Sequence, residues 1–319
     1  MKRILITGAS GFIGGFLVEE ALSKNWETWA GIRKTSNRNY LQDPSIQFID
    51  LHLADKEKLK RQLSEQVNTW GKWDYIVHNA GITKCLDPAD FDKINHLFTR
   101  HFVEALQEIN AVPEKFVYMS SLSAHAECRT AYGTSKLKAE HFLEKQTDFP
   151  YIIICPTGVY GPRDKDYFLM IKSLKTGWDI AAGMETQKLT FIYVKDLVRA
   201  VFLALTSDLS GKSYTVAEEK VYTDKEYTAI VKEALGKKIV LSLRIPLPVL
   251  KVISALAEDF SKWTQKPSTL NRDKYKIMAQ RDWTCDVEPI YRDLNFRTEY
   301  DLKRGIRESV EWYRANGWL

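Results

Sequence analysis

The apolar residues of the first half of the chain occur in short runs that alternate with longer amphipathic segments. The runs are bounded by polar or turn-forming residues and lie at residues 3–7, 28–32, 46–49, 75–78, 116–119 and 151–155. Between them, apolar residues recur with the 3.6-residue period of a helix, most clearly over 55–67, 91–109 and 131–146. Strands and helices that alternate in this way predict an α/β fold of the Rossmann type, a doubly wound parallel sheet with helices on both faces.

The pattern is less regular after about Pro162. The elements predicted there are a strand running into a helix over 191–205, a strand over 213–216, a helix over 223–235 and an amphipathic helix around 302–313. Residues 245–263 are the most apolar stretch, but Lys251, Glu258 and Asp259 interrupt it before the ~20 residues that a bilayer span requires. We expect an amphipathic helix packed on the protein's own core, with a helix lying on a membrane surface as the alternative.

Composition excludes several classes of protein. The net charge is +5, and basic residues are mixed with acids, as in 56–61, which is typical of a solvated helix face and not of a nucleic-acid site. The four cysteines and six histidines are dispersed, so we expect neither a metal site nor disulfides, but reduced thiols in a cytoplasmic protein. The N-terminal sequence also lacks the pattern of a signal peptide.

A glycine-rich segment follows the first predicted strand and opens the first helix. It reads Thr7-Gly8-Ala9-Ser10-Gly11-Phe12-Ile13-Gly14. Gly8 permits a tight turn, Gly11 lets the backbone approach a pyrophosphate, and Gly14 lets the helix pack closely on the strand. A strand before and a helix after this segment favour a dinucleotide-binding loop.

The spacing of these glycines and five later motifs resembles the extended short-chain dehydrogenase/reductase family. This branch holds nucleotide-sugar epimerases, 3β-hydroxysteroid-dehydrogenase-like proteins and dihydroflavonol-reductase-like proteins, and the resemblance runs nearly end to end. The later motifs are His78-Asn79-Ala80-Gly81, Tyr132-Gly133-Thr134-Ser135-Lys136, the segments 156–162 and 191–196, and the closing segment 312–318. The resemblance implies a nicotinamide-binding core over 1–162. A mainly substrate-binding lobe would cover 163–319, with 191–217 returning to the core sheet.

Tyr132 and Lys136 are four residues apart on a predicted helix, so they lie on one face, a turn apart. A phenol with a pKa near ~10 is a poor base at neutral pH, but an adjacent ammonium and the positive nicotinamide both favour the phenolate. The resemblance makes Tyr132 the general acid/base. It also implies that Lys136 binds the nicotinamide ribose.

Other site residues follow from the same resemblance. Ser121 is placed against the reacting oxygen of the substrate, with Ser123 as the alternative, since the two can point to one side of an extended segment. Asn95 matches a residue that supports a helix kink and a proton-relay water. The residues expected to border the substrate are Thr83, Lys84 and Tyr160.

The identity of the cofactor depends on the end of the second strand. Proteins that bind NAD place an acidic residue there, whereas this chain has Ile32 followed by Arg33 and Lys34, which favour the 2′-phosphate of NADP. NAD held through Asp50 and Leu51 remains the alternative. The full set of predicted cofactor residues is Gly8, Ser10, Gly11, Phe12, Ile13, Gly14, Arg33, Lys34, Asp50, Leu51, Asn79, Ala80, Gly81, Tyr132, Lys136, Pro156, Gly158 and Val159.

Three functions are compatible with these residues. The first is an NAD(P)-dependent oxidoreductase acting on a carbonyl or alcohol, the second a nucleotide-sugar epimerase with retained NAD, and the third a non-enzymatic dinucleotide sensor. Sensors of this type usually lose the Tyr–Lys pair, which is intact here. Leu122 and Ser123 stand where related dehydratases carry an acidic pair, which argues against dehydration. The resemblance also implies a homodimer built from the helices over 91–109 and 131–146.

Overall fold

The computed structural model describes residues 1–265 and 270–319. The strands are β1 Arg3–Thr7, β2 Glu27–Gly31, β3 Gln47–Ile49, β4 Tyr75–His78, β5 Lys115–Met119, β6 Tyr151–Pro156, β7 Gly158–Tyr160, β8 Trp178–Ala182, β9 Lys188–Leu189, β10 Phe191–Tyr193, β11 Lys212–Val216, β12 Tyr222–Thr223 and β13 Leu241–Ile245. The α-helices are α1 Phe12–Ser23, α2 Lys56–Trp70, α3 Ala89–Phe91, α4 Phe98–Glu108, α5 Ala131–Glu144, α6 Asp166–Thr176, α7 Val194–Thr206, α8 Asp224–Leu235, α9 Leu247–Thr264, α10 Arg272–Ala279, α11 Glu288–Asp293 and α12 Leu302–Ala315. A π-helix, Asp92–Leu97, joins α3 to α4, and a 3₁₀ turn, Leu122–Ala124, follows β5.

Seven strands form the main sheet, in the order β11-β6-β5-β4-β1-β2-β3. Strands β1 to β6 pair in parallel, and β1 lies between β2 and β4. Because the order reverses beside β1, the carboxyl ends of β1 and β4 border a crevice of the kind in which Rossmann folds bind nucleotides. The predicted fold class is confirmed.

Both faces of this sheet are buried. Side chains such as Leu5, Ile76 and Ile153 pack against residues of α2, α4 and α5 on one face, including Leu63 and Phe102. The neighbouring residues that point to the other face have no exposed surface and include Ile4, Ile6, Val77, Val117 and Ile152. Strands buried on two sides are expected to be continuous apolar runs, which explains why the sequence located them so well.

The chain divides into two compact units. The first comprises residues 1–125, 131–155 and 198–214, and the second comprises 126–130, 156–197 and 215–319. The second unit has three two-stranded pairings, β7 with β10, β9 with β12, and β8 with β13. Its core is rich in aromatic side chains, among them Tyr160, Phe191, Tyr227 and Tyr313. The predicted assignment of 1–162 and 163–319 to cofactor and substrate stays a prediction.

The apolar segment 245–263 forms helix α9, but it does not pack as the sequence led us to expect. Its buried side chains are Leu250, Ser254 and Ser261, whereas most of its large apolar residues are exposed. The expectation that its apolar face packs on the core is therefore wrong. Among the described residues, no helix is long and apolar enough to cross a bilayer.

Candidate active site

The glycine loop lies directly against the loop that follows β4. Gly8 has a φ of +67°, and a Cβ atom on it would lie 2.8 Å from the carbonyl oxygen of Asn79 and 2.9 Å from the nitrogen of Ala80. A Cβ on Gly14 would collide with the carbonyl oxygen of Gly8. Gly11 is the N-cap of α1, so the first helical N–H groups point toward this loop. The close packing that the sequence predicts for Gly8 and Gly14 is present.

A buried polar chain links the ends of β1 and β4. The imidazole Nδ1 of His78 lies 2.9 Å from Thr7 Oγ1, and its Nε2 lies 3.1 Å from Thr99 Oγ1. Thr7 Oγ1 also accepts a hydrogen bond from the backbone N–H of Ala80, at 3.0 Å. Burial, and then the charge of Lys136, lower the pKa of His78 to about 3, so this imidazole is neutral and serves as a structural bridge. Thr7 and His78 both lie in the sequence motifs given above, but motif spacing does not reveal the bridge between them.

The side chains of Tyr132 and Ser121 are brought together, although they come from different elements. Ser121 follows β5, and its hydroxyl lies beside the phenol of Tyr132, near the start of α5. Ser121 Oγ also accepts the backbone N–H of Ser123 at 3.2 Å, which fixes the 3₁₀ turn. Burial raises the pKa of the Tyr132 phenol, and the neighbouring Ser121 hydroxyl opposes that shift. Of the two candidate serines, Ser121 is the one whose hydroxyl affects the pKa of Tyr132.

Lys136 lies one turn farther along α5 and is buried. Its ammonium donates to the carbonyl oxygen of Met119 at 2.8 Å and lies 5.0 Å above the ring of Tyr118. Burial lowers the pKa of Lys136 to about 8, so the group is mostly cationic at neutral pH. A Cβ atom on Gly81 would lie 3.3 Å from the ammonium nitrogen, so this cation borders the loop after β4. Lys136 is thus held beside the predicted cofactor loop.

Asn95 is the centre of the π-helix. Its amide accepts the backbone N–H of Ile82 at 2.8 Å and donates to the Ile82 carbonyl at 3.1 Å and to Ser135 Oγ at 3.0 Å. The carbonyl of Asn95 accepts from Thr99 Oγ1 at 2.9 Å. Single π turns in helices occur frequently at functional sites. Asn95 therefore fastens the loop after β4 to the helix that carries Tyr132 and Lys136.

Comparison with known proteins agrees with this arrangement. Residues 4–217 match the NAD-dependent epimerase/dehydratase family. The chain belongs to this family. It is 25% identical to the ceramide reductase of Caulobacter vibrioides, over 99% of this chain and 96% of that protein. It is 22% identical to the dTDP-glucose 4,6-dehydratase of Neisseria gonorrhoeae, over 99% and 96% of the two chains.

Solved structures show the same fold. The UDP-glucose 4-epimerase of Thermotoga maritima, solved with UDP-glucose, superposes with a TM-score of 0.77 at 18% identity and covers 98% of this chain and 99% of its own. The dTDP-glucose 4,6-dehydratase of Bacillus anthracis, solved with NAD, has a TM-score of 0.75 at 18% identity, over 100% and 98% of the two chains. The extended short-chain dehydrogenase/reductase resemblance is confirmed, and the chain is an enzyme that uses a nicotinamide nucleotide.

The residues predicted to choose between NAD and NADP lie on the surface. Arg33 and Lys34 are exposed after the buried Ile32, and neither makes an ion pair with another described residue. The backbone N–H of Lys34 donates to Asp50 Oδ2 at 3.1 Å, so Asp50 fixes the turn after β2. Leu51 packs at the edge of the sheet core. Two exposed cations thus end β2, where an NAD-binding member of such folds would present a carboxylate.

The remaining predicted residues are divided between the units. In the first unit, Thr83 and Lys84 are exposed in the loop after β4. Pro156, Gly158 and Val159 belong to the second unit, at β6 and β7.

Tyr160 ends β7 and is a core residue of the second unit. It is 1% exposed, and its hydroxyl donates to the carbonyl of Asp301 at 3.4 Å. Its predicted contact with substrate stays a prediction that its position does not support.

One polar cluster near the predicted catalytic residues was not expected from the sequence. The buried carboxylate of Glu140, one turn after Lys136, pairs with His125 Nε2 at 2.9 Å and accepts a hydrogen bond from Ser120. The thiol of Cys155 lies 3.6 Å from the same carboxylate, and the three potential metal ligands lie within 4.8 Å of one another. Burial raises the pKa of the Cys155 thiol well above its usual range, which keeps it protonated and a poor ligand. The cluster is thus a hydrogen-bonded core, and the expectation of no metal site stays a prediction.

Proposed function

We propose that this enzyme is a reductase that transfers hydride from a nicotinamide nucleotide to a carbonyl group, with Tyr132 as the general acid. The observation that carries the proposal is the placement of the Tyr132 phenol beside the Ser121 hydroxyl, one helical turn from the buried cation of Lys136. The nicotinamide would supply the hydride. Its phosphates would lie at the N-terminus of α1, where Gly8 and Gly14 leave no room for side chains.

Protonation states agree with a reaction in the reductive direction. Burial raises the pKa of Tyr132, so the resting phenol carries the proton that a carbonyl oxygen requires once hydride has been added. Ser121 would share the hydrogen bonds to that oxygen. The ammonium of Lys136, with a pKa of about 8, would stabilise the phenolate that remains and bind the nicotinamide ribose. Asn95 would hold the loop after β4 in place.

The class of substrate is proposed from the relatives. The ceramide reductase is 25% identical over almost the whole chain, which supports a carbonyl carried on a lipid of that kind. Leu122 and Ser123 offer no carboxylates after Ser121, which disfavours dehydration. The second candidate is epimerisation of a nucleotide sugar, supported by 23% identity to a putative UDP-glucose 4-epimerase of Methanocaldococcus jannaschii over 98% of this chain.

The test combines substrate choice with a conservative variant. Purified enzyme and NADPH would be mixed with a ceramide bearing a ketone, or with UDP-glucose, and product followed by mass spectrometry. We expect the ketone to be reduced, and Tyr132→Phe to lower the rate about 10²–10⁴-fold without changing the melting temperature. Near-native turnover by Tyr132→Phe would contradict the assignment. Tightly bound NAD that copurifies, with epimerised sugar as product, would favour the second candidate.

We further propose NADP as the preferred cofactor, with NAD the weaker one. The support is the pair of exposed cations, Arg33 and Lys34, where a carboxylate would repel the 2′-phosphate. Arg33→Ala should raise the dissociation constant of NADPH about tenfold or more, since a charge-assisted contact contributes about 1.5–3 kcal/mol. NADH binding should not change. Calorimetry that shows equal affinity of the unmutated enzyme for both nucleotides would contradict this preference.

A cytoplasmic homodimer is also part of this proposal. The half-buried side chains on the π-helix, α4 and α5 that can meet a second copy are Leu97, Phe98, Leu137 and Phe142. Phe102, on α4, is fully buried and cannot take part in such a contact. Four cysteines without disulfides agree with a reducing compartment. Light scattering that gives a monomeric mass at micromolar concentration would contradict the dimer.

A further inference from the structure

Helix α9 in the second unit exposes a continuous apolar face. The exposed residues of this face are Val249, Val252, Ile253, Leu256, Phe260 and Trp263. At 100° per residue these positions fall within an arc of about 100° on the helix. Leu256 is 64% exposed and Trp263 is 80% exposed, so the face has no covering element among the described residues. Exposed patches of this kind usually mark a surface that binds something.

The two-stranded sheet of β8 and β13 also exposes its apolar side chains to solvent. Trp178 lies beside Leu241 and Ile180 beside Leu243 in the parallel register of β8 and β13, and all four side chains are exposed. Two polar residues at alternating positions, Asp179 and Arg244, are only partly exposed and are bonded within the unit. Asp179 accepts from Thr228 at 3.2 Å, and Arg244 pairs with Asp224 at 2.7 Å. The apolar side of this sheet faces solvent.

Such residues are concentrated in one part of the chain. Of the 18 large apolar residues that are exposed in the described structure, 14 lie within 169–184 and 239–263. We call these two segments the apolar surface. Single exposed apolar residues are common on proteins, but a concentration of this degree is not.

The same region carries an excess of positive charge. Residues 237–281 contain ten Lys and Arg against three Asp and Glu, a net charge of +7, whereas the whole chain has +5. The rest of the chain therefore has 36 basic and 38 acidic residues, a net charge of −2. Two of the three acids, Glu258 and Asp259, are already paired with Arg272 at 2.8 and 3.2 Å. Residues 237–281 therefore carry a positive electrostatic potential.

We propose that the apolar surface docks the enzyme on an anionic lipid bilayer, with α9 lying in the plane of the interface. A helix with a wide apolar face, aromatic residues and cationic flanks binds membranes by burying that face among headgroups while its cations attract anionic lipids. A second copy is a poorer occupant, because a two-fold contact would place one +7 segment against another. Trp263 and Phe260, whose rings lie 5.7 Å apart, suit the headgroup level.

Docking goes beyond the proposed function and does not rest on it. A lipid-borne carbonyl would be reached from such a surface, yet binding to vesicles needs neither cofactor nor substrate. The test therefore measures binding alone. A failure of hydride transfer and a failure of docking would be seen in different experiments.

The experiment is flotation of the full chain with vesicles of phosphatidylcholine, with and without phosphatidylglycerol. We expect the protein to float with the anionic vesicles, to bind the neutral ones more weakly, and to be partly released by salt, which screens the cations. The double variant Leu256→Glu/Trp263→Glu should bind the anionic vesicles at least about tenfold more weakly, because it loses buried apolar area and adds repulsive charge. The matched control is Val221→Glu, an exposed apolar position outside the apolar surface.

Several outcomes would overturn the proposal. The protein could remain unbound with both vesicles, or the double variant could bind as well as the unmutated chain. A dimer in light scattering that the double variant dissociates, without vesicle binding, would assign the surface to a second copy. Melting temperatures would be compared first. If the double variant is unfolded, Phe260→Ser, which changes a single exposed side chain, replaces it and should still weaken binding.

Discussion

Strand β6 and the segment from β13 to α9 are both apolar stretches, but they meet opposite environments. All six residues of β6 are buried between helices of the main sheet, whereas β13 and α9 turn their large apolar side chains to solvent. The strand predicted at 151–155 and the helix predicted over 245–263 both form, whereas β13 was not predicted. The hydrophobic period therefore determines which element forms and which side is apolar. It does not determine whether the protein itself covers that side.

The largest expected effect is on the free energy of unfolding and comes from a substitution in the buried strand β6. Ile153 in β6 has no exposed surface and packs in the sheet core, so Ile153→Ala removes three methylene equivalents and leaves a cavity. We expect a loss of about 2–5 kcal/mol in the free energy of unfolding. Urea unfolding followed by circular dichroism would measure it. A loss below about 1 kcal/mol would mean that this core repacks freely, contrary to its tight burial.

The second prediction concerns protonation inside the same sheet. His78 has a pKa of about 3 in the folded chain and an ordinary value of 6.5, so the unfolded chain binds more protons between these limits. Stability from the neutral imidazole is full above pH 6.5 and is lost as the pH falls toward 3. We expect the contribution of His78 to the free energy of unfolding to fall by about 1–3 kcal/mol between pH 7 and 5.

The variant His78→Gln isolates this effect, because it keeps hydrogen-bonding groups but does not titrate. Burial raises the pKa of Asp164 to about 6 and that of Glu218 to about 7. These two carboxyl groups therefore stabilise the folded chain as the pH falls, opposite to His78, and they do so in both proteins. Their contribution cancels in the difference. On going from pH 7 to pH 5, the free energy of unfolding should therefore fall more, or rise less, in the unmutated chain than in His78→Gln, as measured by chemical unfolding. An identical pH dependence in the two proteins would show that folding does not shift the pKa of His78.

Sequence reasoning located the strands of the main sheet to within about one residue, because strands buried on both faces leave continuous apolar runs. The predicted strand at 28–32, for example, is Glu27–Gly31 in the structure. The helix over 91–109 was predicted as one piece but contains a π turn at Asp92–Leu97. That turn follows from the bonds of Asn95 to Ile82, a loop residue whose approach no helical period reveals.

In the candidate site, too, some features follow from sequence spacing and others depend on tertiary contacts. Motif spacing predicts the pairing of Tyr132 with Lys136 and the choice of Ser121, because these depend on local geometry and family resemblance, and their catalytic roles stay predictions. The bridge from Thr7 through His78 to Thr99 joins residues 71 and 21 positions apart, so it becomes visible only when the strands are aligned. The cluster of Glu140, His125 and Cys155 depends in the same way on tertiary packing.

The smallest expected effect on the free energy of unfolding comes from a matching substitution on the exposed face of α9. Leu256 is as apolar as Ile153, and Leu256→Ala removes a similar volume, but its side chain is 64% exposed on α9. Since little apolar area is withdrawn from water there, the free energy of unfolding should change by no more than about 0.5 kcal/mol. Alanine's higher helix propensity offsets part of even that loss. The same urea unfolding that measures Ile153→Ala measures this variant. A loss of about 2 kcal/mol or more would mean that another part of the folded chain covers Leu256 in solution, and the membrane-docking surface would then have a different occupant.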